Sequence, residues 1–352
     1  MGWLCILFLS VSAVLAGAEG WEAIEEFGHF KLGWLRKYVP LANGIPRHDT
    51  IARVISRLNP EGLQPCFLGW MQAVVEGTEG QVVAMDGKTL RRSFDRGSRK
   101  SALHLMSAWA SRNGVVLGQV KIEEKSNEIT AIPALLALLE LKGCIVTLDA
   151  MGCQREIAEK IGEKQADYVL AVKQNQGVLH EECVEFFELA RRNDFKQLTY
   201  DYHEETDTGH GRVEVRRSWQ STDIGYLSRG GEWAGLKTIG MTESERHIGE
   251  KITVERRYYI SSLPLDAKAF GQAVRTHWAV ENSLHWVLDV TFREDESRLR
   301  RGHAAENFSI LRRLVLNLLK QETSTSKSQK AKRRLSGWDD DYREKVLFGK
   351  AL

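Results

Sequence analysis

The stretch QVVAMDG, residues 81–87, decides the fold together with its counterpart CIVTLDA, residues 144–150. Each is a short apolar run closed by an aspartate, Asp86 in the first and Asp149 in the second. Runs of this length are typical of strands that are buried on both faces. A carboxylate that ends such a strand must meet solvent, a cation or a partner, because burying it unpaired costs on the order of several kcal/mol. The sequence therefore predicts two buried strands with their aspartates at one edge of a sheet.

The segments around these strands give the order of the other elements. SALHLMSAWA (101–110) and VVLGQVKIEE (115–124) are joined through Asn113-Gly114, and Asn-Gly is a strong hairpin signal. A helix from Glu128, the strand CIVTLDA, a helix, the strand DYVLAVK and a further helix follow. Three strands and then α-β-α-β-α is the ribonuclease-H-like order, in which the first and fourth strands end side by side. The predicted fold class is α/β, a ribonuclease-H-like mixed sheet with flanking helices.

The remaining regions differ in composition and in the spacing of their apolar residues. Residues before 75 repeat apolar positions at helical spacing, and both DNA-end binding and plain packing remain open for them. Residues 195–262 are polar and strand-like in three runs, VEVRRSWQS, LKTIGMTESE and ITVERRYYISS, which indicates a β-rich insertion before the closing helices. The predicted organisation is an N-terminal helical unit (1–75), the first part of the ribonuclease-H-like core (80–194), the insertion (195–262), the closing helices of the core (263–321), and a basic linker with a C-terminal segment (322–352).

Composition limits the class of protein. The net charge is only +2, so any nucleic-acid surface must come from local clustering of basic residues. The 5 cysteines are odd in number and lack CxxC spacing, which favours reduced thiols over a disulfide or zinc framework. The apolar run at 3–16 has no basic residue before it and is too short to span a bilayer, so we interpret it as a buried helix. We expect a cytoplasmic protein without a membrane partner.

The stretch RTHWAVENSLHWVLDVTFREDESRLRR, residues 275–301, contains the most functional groups. Read as a helix, its start places Val280, Leu284 and Val287 on one side as a core stripe. A second face carries four functional side chains, with Asn282 at its edge: Trp278, Glu281, His285 and Asp289. A salt-bridged amphipathic helix is the alternative interpretation of this stretch alone.

A glutamate from a later helix would join Asp86 and Asp149 in a cluster of three carboxylates. Like charges so close repel one another, so the cluster implies divalent cations, and oxygen ligands favour Mg²⁺ or Mn²⁺. Two such ions about 4 Å apart can activate a water or a 3′-hydroxyl and stabilise the leaving oxygen of a phosphodiester. The alternative for either aspartate alone is that it caps the turn that follows.

Basic residues follow Asp86 closely. This basic group predicts an anion-binding loop beside the metals, and a solvated loop is the alternative. The group contains Lys88, Arg91, Arg92, Arg96, Arg99 and Lys100. Lys173 and Asn175 close the next strand at the same sheet edge, where they would hold a backbone phosphate or a base edge.

Six motifs in this order resemble those of H-repeat-associated insertion-sequence transposases. They are AMDGKTLRRS, EKSNEITAIP, TLDAMGCQREIA, DYVLAVKQNQ, GHGRVEVRR and HWAVENSLHWVLDVTFREDESRLR. The resemblance covers the chain from about Leu15 to its end and implies a DDE group protein with a metal-binding triad at Asp86, Asp149 and Glu281. Relatives carry more helix before the segment matching Leu15–Trp21, so this chain is expected to begin late. Gln174 stands where a glycine is common.

The resemblance implies a DNA transposase that cuts at the ends of its element and joins 3′-hydroxyls to target DNA, with two Mg²⁺ (or Mn²⁺) ions as cofactors. Terminal inverted repeats and target DNA are the expected partners, with a homo-oligomer acting on paired ends. Arg212, Arg275, Asn282 and His285 are further candidate DNA-binding residues. Two alternatives remain open: a nuclease with the same core that never joins strands, and a truncated, inactive remnant that only binds DNA.

Overall fold

The computed structural model describes residues 2–74, 80–94, 101–123, 127–209 and 211–349. Arg96, Arg99 and Lys100 of the predicted anion-binding loop lie outside these ranges. The strands are β1 (Val82–Leu90), β2 (Leu103–Ala110), β3 (Val115–Ile122), β4 (Ile145–Leu148), β5 (Asp167–Val172), β6 (Tyr200–Gly209), β7 (Arg212–Ser221), β8 (Thr238–Ile248) and β9 (Lys251–Ser261).

The helices alternate with these strands in the middle of the chain and dominate both of its ends. They are α1 (Trp3–Leu15), α2 (Trp21–Phe30), α3 (Leu32–Leu35), α4 (His48–Arg57), α5 (Pro60–Val74), α6 (Glu128–Leu138), α7 (Arg155–Glu163), α8 (Gly177–Arg192), α9 (Ala267–Val280), α10 (Trp286–Phe292), α11 (Ala304–Gln321), α12 (Gln329–Trp338) and α13 (Asp340–Phe348). In the described part of the chain, none of them is both long and apolar enough to cross a membrane.

The chain divides into two compact units. The first contains Met1–Glu76, Gly87–Lys125 and Glu281–Leu352, and the second contains Gly77–Asp86 and Ser126–Val280. This division cuts across the five predicted segments, because the N-terminal helices do not form a unit of their own. In the first unit α1 and α4 pack against α11, so the two ends of the chain share one core.

The sheet confirms the predicted ribonuclease-H-like fold. In the first unit β3 and β2 form the predicted hairpin, with Ala110 opposite Val115, and β2 neighbours β1. In the second unit the strand order is β1-β4-β5-β9-β8-β7-β6. β1, β4 and β5 run parallel, whereas β9 is antiparallel to β5. The strand β1 belongs to both units, because the boundary falls after Asp86.

The predicted β-rich insertion extends the core sheet and has one strand more than the sequence indicated. β9 pairs directly with β5, so β6 to β9 continue the same sheet. The additional strand is β6, YDYHEETDTG, whose acidic residues disfavour a strand on propensity. Its Glu205 and Glu204 pair with Arg216 and Arg217 on β7, which offsets the charge at this edge of the sheet.

The predicted basic linker after residue 322 is wrong in part, because two of its basic side chains are buried. The Arg333 guanidinium donates to the carbonyls of Val14, Ala18 and Thr291 at 2.9, 3.0 and 2.6 Å. Lys332 Nζ donates to the Leu319 carbonyl at 3.0 Å. These bonds to backbone acceptors hold α12 in the core of the first unit, so this part of the segment is not a solvated linker.

The stretch at 275–301 is continuously helical up to Phe292, with a change of geometry inside, and a short 3-10 helix follows at Glu294–Glu296. α9 ends at Val280, residues Glu281–His285 form a π-helix, and α10 follows. Val280, Leu284 and Val287 are buried, as the core stripe predicted. His285 is also buried, at 3% exposure, whereas the straight-helix interpretation placed it on the functional face. The wider π turn changes which residues face the interior.

Candidate active site

Asp86 and Asp149 lie at the same edge of the sheet in the second unit. β1 and β4 are parallel, with Met85 opposite Leu148, so the next residue after each is an aspartate. Asp149 follows the end of β4 as predicted, whereas β1 continues past Asp86 to Leu90, so the prediction that Asp86 ends its strand is wrong. Both side chains are half-buried. Asp149 Oδ1 accepts hydrogen bonds from the backbone N–H groups of Met151 at 3.0 Å and Gly152 at 3.4 Å. Asp149 thus caps the following turn, and these bonds also fix the direction of its carboxylate.

A further carboxyl group in this unit, that of Glu128, interacts electrostatically with both aspartates. Glu128 is the first residue of α6 and is half-buried. Burial first, and then the charges of Asp149 and Asp86, together raise the pKa of Glu128 to about 7. Sequence reasoning used Glu128 only as a helix start; the one available signal was its place in the EKSNEITAIP motif. The charges of the two aspartates thus reach Glu128, which makes this part of the unit electronegative.

His277 of α9 holds this part of the second unit together. Its Nδ1 lies 3.0 Å from the Thr147 hydroxyl oxygen on β4, two residues before Asp149. Burial lowers the pKa of His277, although the charges of Asp86 and Asp149 act in the opposite direction. The imidazole is therefore neutral near pH 7, as a hydrogen-bonding group between α9 and β4. His277 could not be singled out from sequence, since a histidine on a helix is ordinary and its one signal was its place at the start of the last motif.

Glu281 and His285 lie in the first unit, at the two ends of the π-helix. Glu281 is exposed and His285 is buried. A Glu281 carboxylate oxygen and a ring nitrogen of His285 lie within 4.8 Å of each other. This spacing suits two ligand atoms of one cation. Within the first unit Glu281 and His285, and within the second unit Asp86 and Asp149, are donors of the kinds that bind divalent cations.

The predicted DNA-binding residues of the first unit differ in environment. Lys88 is buried, and its Nζ lies 2.5 Å from Asp289 Oδ2 instead of facing solvent. Arg91 and Arg92 are exposed, and Arg91 Nε lies 3.3 Å from Asp295 Oδ2. Asn282 is exposed beside Glu281. The exposed basic residues thus remain candidates for phosphate contacts, whereas Lys88 has an internal partner.

The predicted DNA-binding residues of the second unit also differ in environment. Lys173 is exposed after β5, and Asn175 Nδ2 donates to the Ala150 carbonyl at 2.6 Å, next to Asp149. Arg212 is exposed at the start of β7. Arg275 is exposed but lies against β6, with Nη1 at 2.8 Å from Glu205 Oε1 and Nη2 at 3.0 Å from Asp207 Oδ2. Arg275 therefore ties α9 to the edge strand.

A ribonuclease-H-like sheet with neighbouring aspartates on its first strand and directly after its fourth is characteristic of the DDE class of proteins. The chain belongs to the transposase DDE domain family: residues 77–318 match that family, and residues 2–71 match the region described as DDE_Tnp_1-associated. These matches confirm the resemblance found in the sequence motifs.

Two relatives match over most of their length. The chain is 49% identical to "Putative transposase YncI" of Escherichia coli O157:H7, over 97% of this chain and 88% of that protein. It is 43% identical to "H repeat-associated putative transposase YhhI" of Escherichia coli strain K12, over 99% of this chain and 92% of that protein. A solved structure, the piggyBac transposase synaptic complex with hairpin DNA, matches at 11% identity and a TM-score of 0.43, over 99% of this chain and 73% of that one.

Proposed function

We propose that this protein is the DNA transposase of an insertion sequence, which cuts at the ends of its element and joins the resulting 3′-hydroxyls to target DNA. Asp86, Asp149 and Glu281 are the proposed catalytic and metal-binding triad. The observation that carries the proposal is the parallel register of β1 and β4, which makes Asp86 and Asp149 neighbours. Membership of the transposase DDE domain family supports the assignment of the reaction.

The position of Glu281, one helical turn after His277, supports Glu281 as the third carboxylate of the triad. His277 is bonded to Thr147, two residues before Asp149, and the charges of both aspartates act on it. Glu281 follows His277 by four residues, which is about one turn of helix. His285 is close enough to Glu281 to share a cation with it.

In the proposed reaction the residues of this chain bind the cations and the DNA, and they orient the groups that react. Two divalent cations, when bound, supply activation of the attacking oxygen and stabilisation of the leaving oxygen. Asp149 is oriented by the N–H groups of Met151 and Gly152, so its carboxylate is held in place before the metal arrives. In cleavage, water oxygen bonds to phosphorus and the 3′-oxygen of the element end leaves. In joining, that 3′-oxygen bonds to a target phosphorus and a target 3′-oxygen leaves.

The exposed basic and amide side chains are the proposed DNA contacts. Arg91, Arg92 and Asn282 would contact phosphates from the first unit, and Lys173 and Arg212 from the second, since each is exposed. Asn175 and Arg275 have protein partners in this structure, so we propose that they support the DNA surface by holding Ala150 and β6 in place. We further propose that the protein acts as a homo-oligomer on paired terminal inverted repeats.

The test is a cleavage and strand-transfer assay on labelled terminal-repeat DNA with Mg²⁺. The wild-type protein should give both nicked and joined products. Asp86→Asn, Asp149→Asn and Glu281→Gln should each abolish both products while DNA binding persists. Glu163→Gln, an exposed position on α7, is the matched control and should behave as wild type. Retention of both products by all three triad variants would overturn the assignment.

The same assay separates the two rival functions. A nuclease with this core would give nicked DNA and no joined product under any condition. An inactive remnant would bind DNA with a salt-dependent affinity but give neither product with Mg²⁺ or Mn²⁺.

A further inference from the structure

Lys88 and Asp289 form an ion pair inside the first unit. Lys88 lies on β1 and is 8% exposed, and its Nζ is 2.5 Å from Asp289 Oδ2 on α10. A charge-assisted hydrogen bond of this length between buried or half-buried groups is strong. An ammonium so placed is not presented to solvent, where a phosphate would approach.

The pair belongs to a larger set of buried charges. The Arg312 guanidinium is buried, and the charges of Glu294 and Asp289 both act on it. Glu294 is fully buried, lies 3.0 Å from Arg313 Nη1, and also interacts with the charge of Lys88. Alternating charges of this kind fix the side chains that form them, because removing one partner leaves another buried charge uncompensated.

The positions of the two residues along the chain give the pair its importance. Lys88 follows Asp86 by two residues, so both side chains lie on the same side of β1, about 7 Å apart along the strand. Asp289 follows Glu281 by eight residues, about 12 Å along a helix. The π-helix begins at Glu281 and ends at His285, four residues before Asp289. Its i→i+5 hydrogen bonds interrupt the α-helical pattern between the two carboxylates. The helix after Glu281 therefore needs an anchor beyond the π-helix.

We infer that Lys88 and Asp289 are positioning residues, which hold the helix that begins at Glu281 against β1 and so fix the Glu281 carboxylate for the reaction. The inference rests on the proposed function and deepens it. Neither residue touches DNA in this assignment, and Lys88 acts on Glu281 through its ion pair with Asp289. A misplacement of about 1 Å at a reacting group can reduce a rate by about 100-fold, so an anchor two turns away has a large effect.

The experiment compares Lys88→Met, Asp289→Asn and the double variant with wild type, using the full chain. Three quantities are measured: the cleavage rate at saturating terminal-repeat DNA, the salt dependence of DNA binding, and amide hydrogen exchange in residues 281–292. Thermal unfolding of each variant checks that it folds. Lys121→Met is the matched control, because Lys121 on β3 forms an exposed pair with Glu123 in the same unit.

Each single variant should lower the rate at saturating DNA by about 10- to 100-fold with an unchanged KM. The double variant should be no worse than either single variant, since both remove one interaction. Amide exchange in 281–292 should rise in all three, and the salt dependence of DNA binding should stay as in wild type. Lys121→Met should change none of these quantities.

Two results would overturn the inference. If Lys88→Met alone reduced the salt slope of DNA binding by about one while Asp289→Asn had no effect, Lys88 would be a phosphate contact. If exchange in 281–292 were unchanged in both variants, the pair would not anchor the helix. The exchange measurement needs no catalysis, so a wild-type protein without cleavage would contradict the proposed function while the positioning role would still be decided.

Discussion

The Nδ1 atom of His277 lies 3.0 Å from the hydroxyl oxygen of Thr147, and both side chains are buried. This bond joins α9 to β4 at a point two residues before Asp149 and four residues before Glu281. Because the pKa of His277 is lowered by burial, the bond is made by a neutral imidazole at pH 7. The donor and acceptor in this bond depend on the tautomer of the ring, which is set by the partner of the second ring nitrogen, Nε2.

The first prediction concerns this pair. His277→Phe should lower the free energy of unfolding by about 1–3 kcal/mol, because the Thr147 hydroxyl loses its buried partner. It should also reduce Mg²⁺-dependent cleavage, since α9 leads directly into Glu281. Adding Thr147→Val should recover much of the lost stability, because both partners are then apolar. Urea unfolding of the two single variants and the double variant measures this, and strictly additive losses would show that the bond contributes little.

The second prediction concerns the pH dependence of the metal-free protein. The pKa of Glu128 is about 7 in the folded chain, compared with its usual 4.5, so the unfolded chain loses this proton first as pH rises. Stability from this group is fully present below about pH 4.5 and is lost as pH rises towards 7. Glu128→Gln should therefore flatten the decline in Tm between pH 5 and pH 7 measured in EDTA. Glu140→Gln, at an exposed position, should leave the wild-type decline in place.

The third prediction concerns the buried carboxylate of Glu294. Burial by itself would raise the pKa of Glu294, but the guanidinium groups of Arg313 and Arg312 and the ammonium of Lys88 hold it below 4.5. Its contribution to stability is present above that pH and is lost as pH falls through the lower, folded pKa. Glu294→Gln should cost about 3–5 kcal/mol at pH 7, because it leaves two buried guanidinium groups uncompensated.

The control for Glu294 is two residues away. Glu296 is exposed and pairs with Arg293 at the surface. Glu296→Gln should therefore change the free energy of unfolding by less than about 1 kcal/mol. Equal losses for the two variants in chemical denaturation would contradict the role assigned to the buried charges.

The fourth prediction concerns the packing of α9 on the extended sheet. A Cβ atom at Gly240 of β8 would lie 2.7 Å from Phe270 Cε2, and Phe270 is fully buried. Gly240→Ala should destabilise the protein by about 1–3 kcal/mol through overpacking. At Gly225 a Cβ would meet no atom within 4 Å, so Gly225→Ala should stay within about 0.5 kcal/mol of wild type. A smaller side chain at the contact, as in Phe270→Leu, should partly rescue Gly240→Ala in the same unfolding assay.

The order of the core strands could be predicted from sequence because local signals agreed with one another. Apolar runs ended in aspartates, Asn113-Gly114 indicated the β2–β3 hairpin, and helical segments separated β4 from β5. β6 was not predicted, because its acidic residues disfavour a strand and its stability comes from arginines on β7. Strand formation there depends on cross-strand partners, which no local pattern records.

Parts of the candidate site were equally dependent on the fold. Glu128 and His277 are ordinary residues in sequence, and only packing brings them into electrostatic interaction with Asp86 and Asp149. Lys88 was predicted to face a phosphate because it belongs to a basic run. Its burial against Asp289 depends on an element about 200 residues later in the chain.

The sequence by itself determined the ribonuclease-H-like order, the two neighbouring aspartates and the family, because these depend on local periodicity and on motifs read along the chain. The tertiary structure alone decided which charges are buried, which basic residues have internal partners, and where the helix after Val280 changes to a π-helix. The physical reason is that burial and ion pairing depend on neighbours distant in sequence, and their free energies appear only when the chain is packed.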